Sequence, residues 1–205
     1  MIEERILNER KNMEKELILA SQSRYKRGQM KQLGIPFSAE NPRCVEDRVE
    51  NEMPEKAVLR LSRKKALSLA APFPDAMIIA SDQGVEIDGE LLGKPRSVSV
   101  AEHQLARMSG REHRLLTALV VYDTREEKLY EELDVCRMKV RELSKDKIST
   151  YVAADLPLDC AGSYKFESKG IALFRTVEAQ DPTAIIGLPL LRLCGLLEKA
   201  GVSIF

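Results

Sequence analysis

The stretch with the clearest potential for chemistry is MIIASDQGVEIDGELLGKP, residues 77–95. An apolar run leads into Asp82, and the alternating residues after it turn at an Asp-Gly pair, a strong hairpin signal. We predict that a buried strand carries Asp82 at its end and that the hairpin returns Lys94 close to it. A carboxylate there is costly unless a charged partner meets it, which makes Asp82 a candidate catalytic group. The commoner role of such an Asp, in a turn or cap, stays open.

Two further segments place cations where an anion could bind. In SQSRYKR, Ser21 follows a short strand, and Lys26 and Arg27 lie in the first turn of a helix. Free N–H groups at a helix start favour anions, whereas cations there oppose the helix dipole unless a phosphate offsets them. In the next helix, which Pro54 begins, Lys65 falls on the apolar stripe. Lys65 either extends to the surface or meets a buried anion, and a solvated basic turn explains Lys26 and Arg27 equally well.

Composition limits the class of protein and its partners. The chain has 205 residues, enough for one sizeable domain, and its 32 basic and 32 acidic side chains cancel. It therefore has no overall field for duplex nucleic acid. The four cysteines form no CxxC pair, no apolar run approaches the roughly 20 residues of a membrane span, and the charged N-terminus lacks a signal-peptide core. We expect a cytoplasmic protein that binds neither nucleic acid nor a membrane.

The rest of the chain interleaves strands and helices, which favours a single α/β unit. We predict a helix capped by Ser99, a short helix around Tyr151, a final helix after Pro189, and strands at 16–20, from 115, at 134–140 and at 170–174. His103 and His113 have no metal-like spacing and are expected at the surface. Neither a GxxxxGK[ST] nor a GxGxxG motif is present, which disfavours a P-loop NTPase or a dinucleotide enzyme.

Six segments, in this order, resemble the Maf-type nucleotide pyrophosphatases: LILASQSRYKR, VLRLSRKKALSLA, ASDQGVEIDGELLGKP, RMSGREHRLLTALVVYD, CAGSYKFESKG and DPTAIIGLPLLRLC. The Asp-Gln pair, the CAGSYKFE loop and the IIGLPL run are most similar to the branch that hydrolyses 7-methyl-GTP. The resemblance covers about residues 16–200. It leaves residues 1–15 as an N-terminal extension before a catalytic domain over residues 16–205.

The resemblance implies an ITPase-like α/β fold, an elongated mixed β-sheet flanked by helices, with a cleft between two lobes. It also implies a homodimer and hydrolysis of a nucleotide between its α- and β-phosphates, with a divalent cation (Mg, Mn or Co) as cofactor. Asp82 matches the family's catalytic Asp, and Glu46 and Asp82 the metal site. Phosphate binding falls to Ser21, Lys26, Arg27, Lys65 and Lys94, and base selection to Tyr25, Gln83 and Glu167.

The base that this branch selects has a distinctive chemistry, because methylation at N7 makes the guanine ring cationic. An aromatic face attracts such a ring, which makes Tyr25 a candidate platform. A carboxylate can accept two N–H groups from the guanine edge, which makes Glu167 a candidate acceptor, and Gln83 could read a further edge atom. The alternative interpretation, a packing role for Tyr25 and a solvated Glu167, stays open.

Two departures from the family pattern bear on activity. Arg24 stands where this branch usually has Pro, and Lys26 where it usually has Arg, which removes a bidentate phosphate contact. Val45 replaces an acidic residue, so a metal ligand is either missing or supplied by Asp47. Three functions therefore stay open: a pyrophosphatase for 7-methyl-GTP, one for dTTP, UTP or CTP, and a nucleotide-binding regulator of cell division with little turnover.

Overall fold

Seven strands form one mixed sheet in the computed structural model, which describes residues 15–47 and 49–204. The strands are β1 (Glu16–Ala20), β2 (Ser38–Glu40), β3 (Ala76–Ile87), β4 (Glu90–Leu92), β5 (Glu112–Asp123), β6 (Lys128–Val140) and β7 (Phe174–Glu178). Their order is β2-β1-β3-β5-β6-β7, and β4 pairs with β3. The helices are α1 (Arg24–Met30), α2 (Pro54–Leu67), α3 (Val98–Met108), α4 (Lys145–Asp155) and α5 (Leu190–Lys199). The predicted mixed α/β sheet with flanking helices is confirmed. Except for Lys15, the predicted N-terminal extension lies outside the described residues.

The central strand β3 has two different neighbours along one side. β1 runs parallel to its first part, and this ladder ends at the pair Leu19–Ile79. β4 runs antiparallel to its last part, and that ladder ends at the pair Val85–Leu92. Residues 80–84 have no strand partner on this side, although β5 pairs with them continuously on the other. The sheet therefore has a gap in the middle of β3.

This gap corrects the prediction that a strand ends at Asp82. Asp82 lies in the middle of the 12-residue β3, opposite Ala118 of β5. The apolar run does stop at Ala80, but the strand continues because β5 still satisfies its backbone on one side. What ends near Asp82 is the pairing of β3 with β1, whose last pair is Leu19–Ile79.

Apolar cores lie on both sides of this gap. Before it, α2 packs on one face of β3 and α5 on the other; Ala66 of α2 shares one buried cluster with Ile78, and Leu193 of α5 shares another with Ile79. Beyond it, α3 and α4 cover the sheet with the cluster that includes Leu105, Val152 and Val85. The Asp-Gly hairpin turn is present between β3 and β4, as predicted, with both residues at positive φ. Asp82 thus lies between two packed halves of the sheet.

Several local predictions were wrong. Ser97, not Ser99, caps α3, and its side chain accepts a hydrogen bond from the backbone N–H of Val100. Residues 169–173 form a 3₁₀ helix, and the strand there begins only at Phe174. β5 and β6 begin before residues 115 and 134 because they pair with each other over twelve positions. His113 is 3% exposed, not at the surface, because it alternates in phase with Leu115 on the covered side of β5.

None of the helices in the described part of the chain is long and apolar enough to span a membrane. The four cysteines all lie among the described residues and are unpaired, in agreement with the absence of a CxxC spacing.

Candidate active site

The gap in β3 is bordered by side chains from both faces of the sheet. Successive strand residues point to opposite faces, so the side chains of Ser81 and Asp82 diverge. On one face the Lys26 Nζ donates to the Ser81 carbonyl at 2.7 Å. On the other side, the Ser62 hydroxyl lies 3.3 Å from the Ala80 carbonyl of β3 and 3.2 Å from the Ala118 carbonyl of β5, and so bridges these two strands. The Lys26 amine therefore takes over a hydrogen bond that a strand neighbouring the gap would make.

Lys65 joins two carboxylates at this gap. Its Nζ donates to Asp82 Oδ1 and lies 3.0 Å from Glu46 Oε1. The side chains of Lys65 and Asp82 are 11% and 13% exposed, whereas that of Glu46 is 55% exposed. Burial lowers the pKa of Lys65, but Asp82 and Glu46 outweigh it, and the net pKa is raised. Lys65 is therefore a fixed cation that meets a largely buried anion, Asp82, and a half-exposed one, Glu46, which is the less common of its two predicted roles.

Glu46 responds to the same cations in the opposite direction. Desolvation raises its pKa, but Lys65, Lys94 and Lys26 outweigh this, and the net pKa is lowered. Glu46 therefore stays ionised. Lys94, which follows the hairpin, is exposed and contributes to the lowered pKa values of both Glu46 and Lys26.

Lys26 differs from Lys65 because no carboxylate of residues 15–47 or 49–204 forms an ion pair with its amine. Burial, followed by repulsion from Lys65, lowers the pKa of Lys26 to about 7; Asp82 counteracts this and Lys94 adds to it. Its side chain passes over Gly187, where an added Cβ would lie 3.1 Å from the Lys26 Cε. A bound anion would supply the negatively charged partner that the Lys26 ammonium group lacks and would stabilise its protonated form.

Ser21 and Arg27 shape the turn from which Lys26 projects. The Arg27 Nε and Nη2 both donate to the Ser21 carbonyl at 3.3 Å. The Ser21 hydroxyl accepts from the Ser23 N–H at 3.1 Å, and the Ser23 hydroxyl accepts from the Lys26 N–H at 3.4 Å. The start of α1 is thus closed on itself, and its predicted free N–H groups are partly occupied by Ser23.

The IIGLPL segment holds the other side of the gap. The Ser81 hydroxyl donates to the Gly187 carbonyl at 2.8 Å. The Gln83 Nε2 donates to the Ala184 carbonyl at 2.8 Å and to the Thr117 hydroxyl at 3.0 Å. The N–H groups of Gln83 are therefore engaged within the protein, and its Oε1 is the atom with which it could read a base.

A buried amide that the sequence reasoning missed ties α1 to this segment. Gln29 is 2% exposed, and its Nε2 donates to the carbonyls of Thr183 and Leu188 at 2.7 and 3.1 Å. Its Oε1 accepts from the Leu188 N–H at 3.0 Å. The signal available in the sequence was a Gln beside Met30 on the inward side of a short helix.

The ring of Tyr25 already carries a cation. The Arg24 guanidinium lies 4.8 Å from the ring centroid, and its Nη2 donates to the Tyr25 hydroxyl at 2.7 Å. The ring therefore has a face that a planar cation can reach. Asp159 and Cys160, at the start of the CAGSYKFE loop, contribute weakly to the raised pKa of Arg24, whose main cause is the hydrogen bond to Tyr25.

Most of the CAGSYKFE loop is packed inward. Gly162, Ser163 and Tyr164 are buried, and the Lys165 Nζ donates to the Asp155 carbonyl at 2.8 Å. Glu167 is exposed and makes no hydrogen bond or ion pair with any other described side chain at the gap. It is therefore available to a ligand, although the protein itself does not bring it to Asp82.

The donor set fits a divalent cation that is shared with a substrate. The described residues contain no cluster of three or more His, Cys, Asp or Glu side chains suited to a metal. They do bring Glu46 and Asp82 together on one ammonium group, and Mg²⁺ typically uses one or two carboxylates with phosphate oxygens and water. Two carboxylates beside three lysines thus suit a metal-bound phosphate chain.

Asp47 does not supply the missing ligand. Its carboxylate lies 2.6 Å from the Lys64 Nζ and 3.3 Å from the Arg60 Nη1, on the outer side of α2. It lines a cavity of about 580 Å³ there, together with Cys44 and Leu67, and not the gap that holds Lys65.

The gap therefore has the composition of a site for a polyanionic phosphate ligand. The chain matches the family model described as "Maf-like protein" over residues 16–200, and it belongs to the Maf family. It is 40% identical to a protein of Hydrogenovibrio crunogenus named 7-methyl-GTP pyrophosphatase, over 92% of this chain and 94% of that one. Proteins of the same name from Xanthomonas campestris and Albidiferax ferrireducens are 40% and 38% identical, over 92% and 94% of this chain and 97% and 96% of theirs.

A solved structure, that of the Staphylococcus aureus Ham1 protein, is similar over 62% of this chain and 72% of its own, at 16% identity and a TM-score of 0.45.

Proposed function

We propose that this protein hydrolyses 7-methyl-GTP to 7-methyl-GMP and pyrophosphate, and so removes a modified nucleotide. The observation that carries the proposal is Lys65, buried between Asp82 and Glu46 at the gap in β3. Three relatives that share about two fifths of its residues over nearly the whole chain are named for this reaction. The carboxylates and lysines that meet at the gap support the proposal, because they are the kinds of group that such a reaction needs.

The lysines and Asp82 have different roles at the phosphates. Lys65, Lys26 and Lys94 bind the triphosphate, and charge-assisted contacts of this kind are the strong ones. Asp82 either accepts a proton from the attacking water or holds the metal. A divalent cation held by Glu46 and Asp82 would neutralise charge on the phosphate oxygens. Ser21 and Arg27 keep Lys26 in place through the turn that they close.

The base would be recognised on the rim formed by the start of α1 and the CAGSYKFE loop. The accessible face of Tyr25 suits a cationic ring, a contact worth about 0.5–2 kcal/mol. Glu167 is exposed and can accept from the guanine edge, and the Oε1 of Gln83 can accept one further N–H group. Arg24 occupies the Tyr25 ring in the free protein, so the ring of the substrate would have to displace it.

A panel of nucleotides tests this function. Pyrophosphate release is measured for 7-methyl-GTP, GTP, dTTP, UTP and CTP, each with Mg²⁺, Mn²⁺ and Co²⁺. We expect the highest kcat/KM for 7-methyl-GTP. A higher value for a pyrimidine nucleotide would assign the same chemistry to another base. Nucleotide binding by calorimetry without pyrophosphate release would instead favour the regulator.

Asp82→Asn tests the chemistry itself. The variant should keep the fold and lose at least about 100-fold in kcat, the scale of a general base. Asp47→Asn is the matched control, since Asp47 pairs with Lys64 and Arg60 outside the site, and it should keep the activity of the parent. Near-normal turnover by a folded Asp82→Asn protein would contradict the assignment.

The proposal includes a homodimer in the cytoplasm, as the family resemblance and the composition predict. Sedimentation of the full chain tests the dimer, and fractionation of cells tests the location.

A further inference from the structure

A second buried glutamine links two segments that flank the site. Gln104 lies on the apolar stripe of α3 and is 8% exposed. Its Nε2 donates to the Gly93 carbonyl at 3.2 Å, and its Oε1 accepts from the Ser163 hydroxyl. One side chain therefore spans the loop after β4 and the CAGSYKFE loop, which are about seventy residues apart in the chain.

Each of these segments carries a residue of the proposed site. Gly93 directly precedes Lys94, which acts electrostatically on Lys26 and Glu46. Ser163 is four residues before Glu167, the exposed carboxylate of its loop. Gln104 is therefore not placed to contact the phosphates or the base itself. It is hydrogen-bonded to the backbone next to Lys94 and to the loop that carries Glu167.

The CAGSYKFE loop has little freedom to move away from Gln104. Ser163 is fully buried and adopts a positive φ of 64°, which is uncommon for a residue other than glycine. At Gly162, an added Cβ would lie 2.5 Å from a methyl group of Val85 at the end of β3. The loop after β4 also meets the segment just before the CAGSYKFE loop, since the Arg96 N–H donates to the Leu158 carbonyl at 3.2 Å.

The amide of Gln104 serves both segments because it carries a donor and an acceptor. Gly93 offers a carbonyl, which needs a donor, and the Ser163 hydroxyl uses its proton, which needs an acceptor. An apolar side chain of the same size would leave the buried Ser163 hydroxyl and the half-buried Gly93 carbonyl without this partner. The chemistry of Gln104 is therefore set by the two loops and not by the packing of α3.

We propose that Gln104 is a positioning residue that fixes the Lys94 segment and the Glu167 loop relative to each other. It thereby couples affinity for the triphosphate to selectivity for the base. This proposal rests on the proposed function, because Lys94 and Glu167 take their roles from it.

Three variants separate this role from general stability. Gln104→Met removes both hydrogen bonds at similar volume, and Ser163→Ala removes only the bond to the CAGSYKFE loop. Leu105→Val is the matched control, because Leu105 is buried beside Gln104 on α3 and has no hydrogen-bonding side chain for either loop. KM and kcat are measured for 7-methyl-GTP and GTP, together with melting and with hydrogen exchange at residues 93–96 and 163–168 in the full chain.

We expect Gln104→Met to raise KM for both nucleotides by at least about fivefold, the effect of one lost buried hydrogen bond on binding, with a smaller change in kcat. It should also reduce the preference for 7-methyl-GTP over GTP by about the same factor and speed exchange in both segments. Ser163→Ala should reduce the preference and leave KM for GTP near that of the parent. Leu105→Val should lower the melting temperature and leave both KM and the preference for 7-methyl-GTP over GTP unchanged.

Two kinetic results would overturn the proposal. One is a Gln104→Met protein with the KM and the preference of the parent. The other is a Leu105→Val protein that shows the same kinetic changes, since loosening of α3 would then explain both variants.

If the parent releases no pyrophosphate, the proposed function is wrong, but the positioning role of Gln104 can still be tested. Hydrogen exchange then shows whether Gln104 holds the two segments together. Faster exchange in both segments of Gln104→Met, but not of Leu105→Val, supports it. Exchange equal to that of the parent in either segment refutes it.

Discussion

His113 gives the stability of this protein a dependence on pH that can be isolated by substitution. Its Nε2 lies 3.1 Å from the Tyr164 hydroxyl, whereas its buried Nδ1 has no hydrogen-bond partner among the described residues. Its ring packs against Tyr164 and Phe174, with centroids 5.7 and 5.9 Å away. Burial lowers the pKa of His113 from 6.5 to about 4, although Glu86 opposes this weakly.

The sign of the effect follows from proton binding. Between pH 6.5 and about 4 the unfolded chain binds a proton at His113 that the folded protein does not. Stability is therefore lost as the pH falls below 6.5, and the loss is complete below about 4. Each pKa unit is worth about 1.4 kcal/mol, so the full loss is about 3 kcal/mol, of which about 2 kcal/mol appears by about pH 5.

His113→Phe removes this titration and suits the surrounding aromatic rings, and the Tyr164 hydroxyl keeps its contact with the Met138 sulfur at 3.4 Å. The free energy of unfolding is measured in urea at about pH 8 and about pH 5. Between these values the parent should lose about 2 kcal/mol more than His113→Phe. His103→Gln is the matched control, because His103 is the other histidine and is exposed; it should behave as the parent does. Equal losses in the parent and His113→Phe would refute the reasoning.

Three further substitutions test the site. Lys65→Met should reduce kcat/KM by about 100-fold, because it removes a charge-assisted contact with the phosphates; it should also lower stability, because removing one partner of a buried ion pair costs about 3–5 kcal/mol. Unchanged kinetics with a small change in melting would mean that Lys65 only fills space. Gly187→Ala should raise KM with little change in kcat, because its Cβ would displace Lys26 and its φ of 121° strains an alanine. An unchanged KM would show that Lys26 has room to adjust. Glu167→Gln should lower the ratio of kcat/KM for 7-methyl-GTP over GTP more than it lowers the activity on GTP, and an unchanged ratio would exclude Glu167 from base recognition.

The residues that meet at the gap were accessible from sequence because each broke a local pattern. Lys65 is a charge on an apolar stripe, and Asp82 follows an uninterrupted apolar run. The position of Asp82 in its strand was not accessible, because the gap is defined by where β1 and β4 stop pairing. The pattern of one strand carries no information on where its neighbours end.

The buried histidine and the two buried glutamines were missed for a related reason. Three polar residues are buried at positions where the sequence pattern predicts apolar ones: His113, Gln29 and Gln104. A polar residue at such a position gives no sign of being buried. Their partners are mainly backbone groups of distant loops, such as Leu188 and Gly93, and no residue type marks a carbonyl that needs a donor. The signals available in the sequence were the phase of His113 with Leu115 and the position of Gln29 beside Met30.

The gap in β3 also bears on how this chain avoids pairing with strands of other molecules while it folds. Residues 80–84 are buried or half-buried in the folded protein, but a stretch of strand without a neighbour is a template for a foreign strand whenever it becomes exposed, and exposed edges promote aggregation. Here the place is guarded by ammonium groups, since the Lys26 Nζ bonds the Ser81 carbonyl and Lys65 stands on the opposite face. Lysines are among the residues that natural sheets use to keep foreign strands away. The cations that suit a phosphate chain thus also protect an interrupted sheet from intermolecular β-pairing.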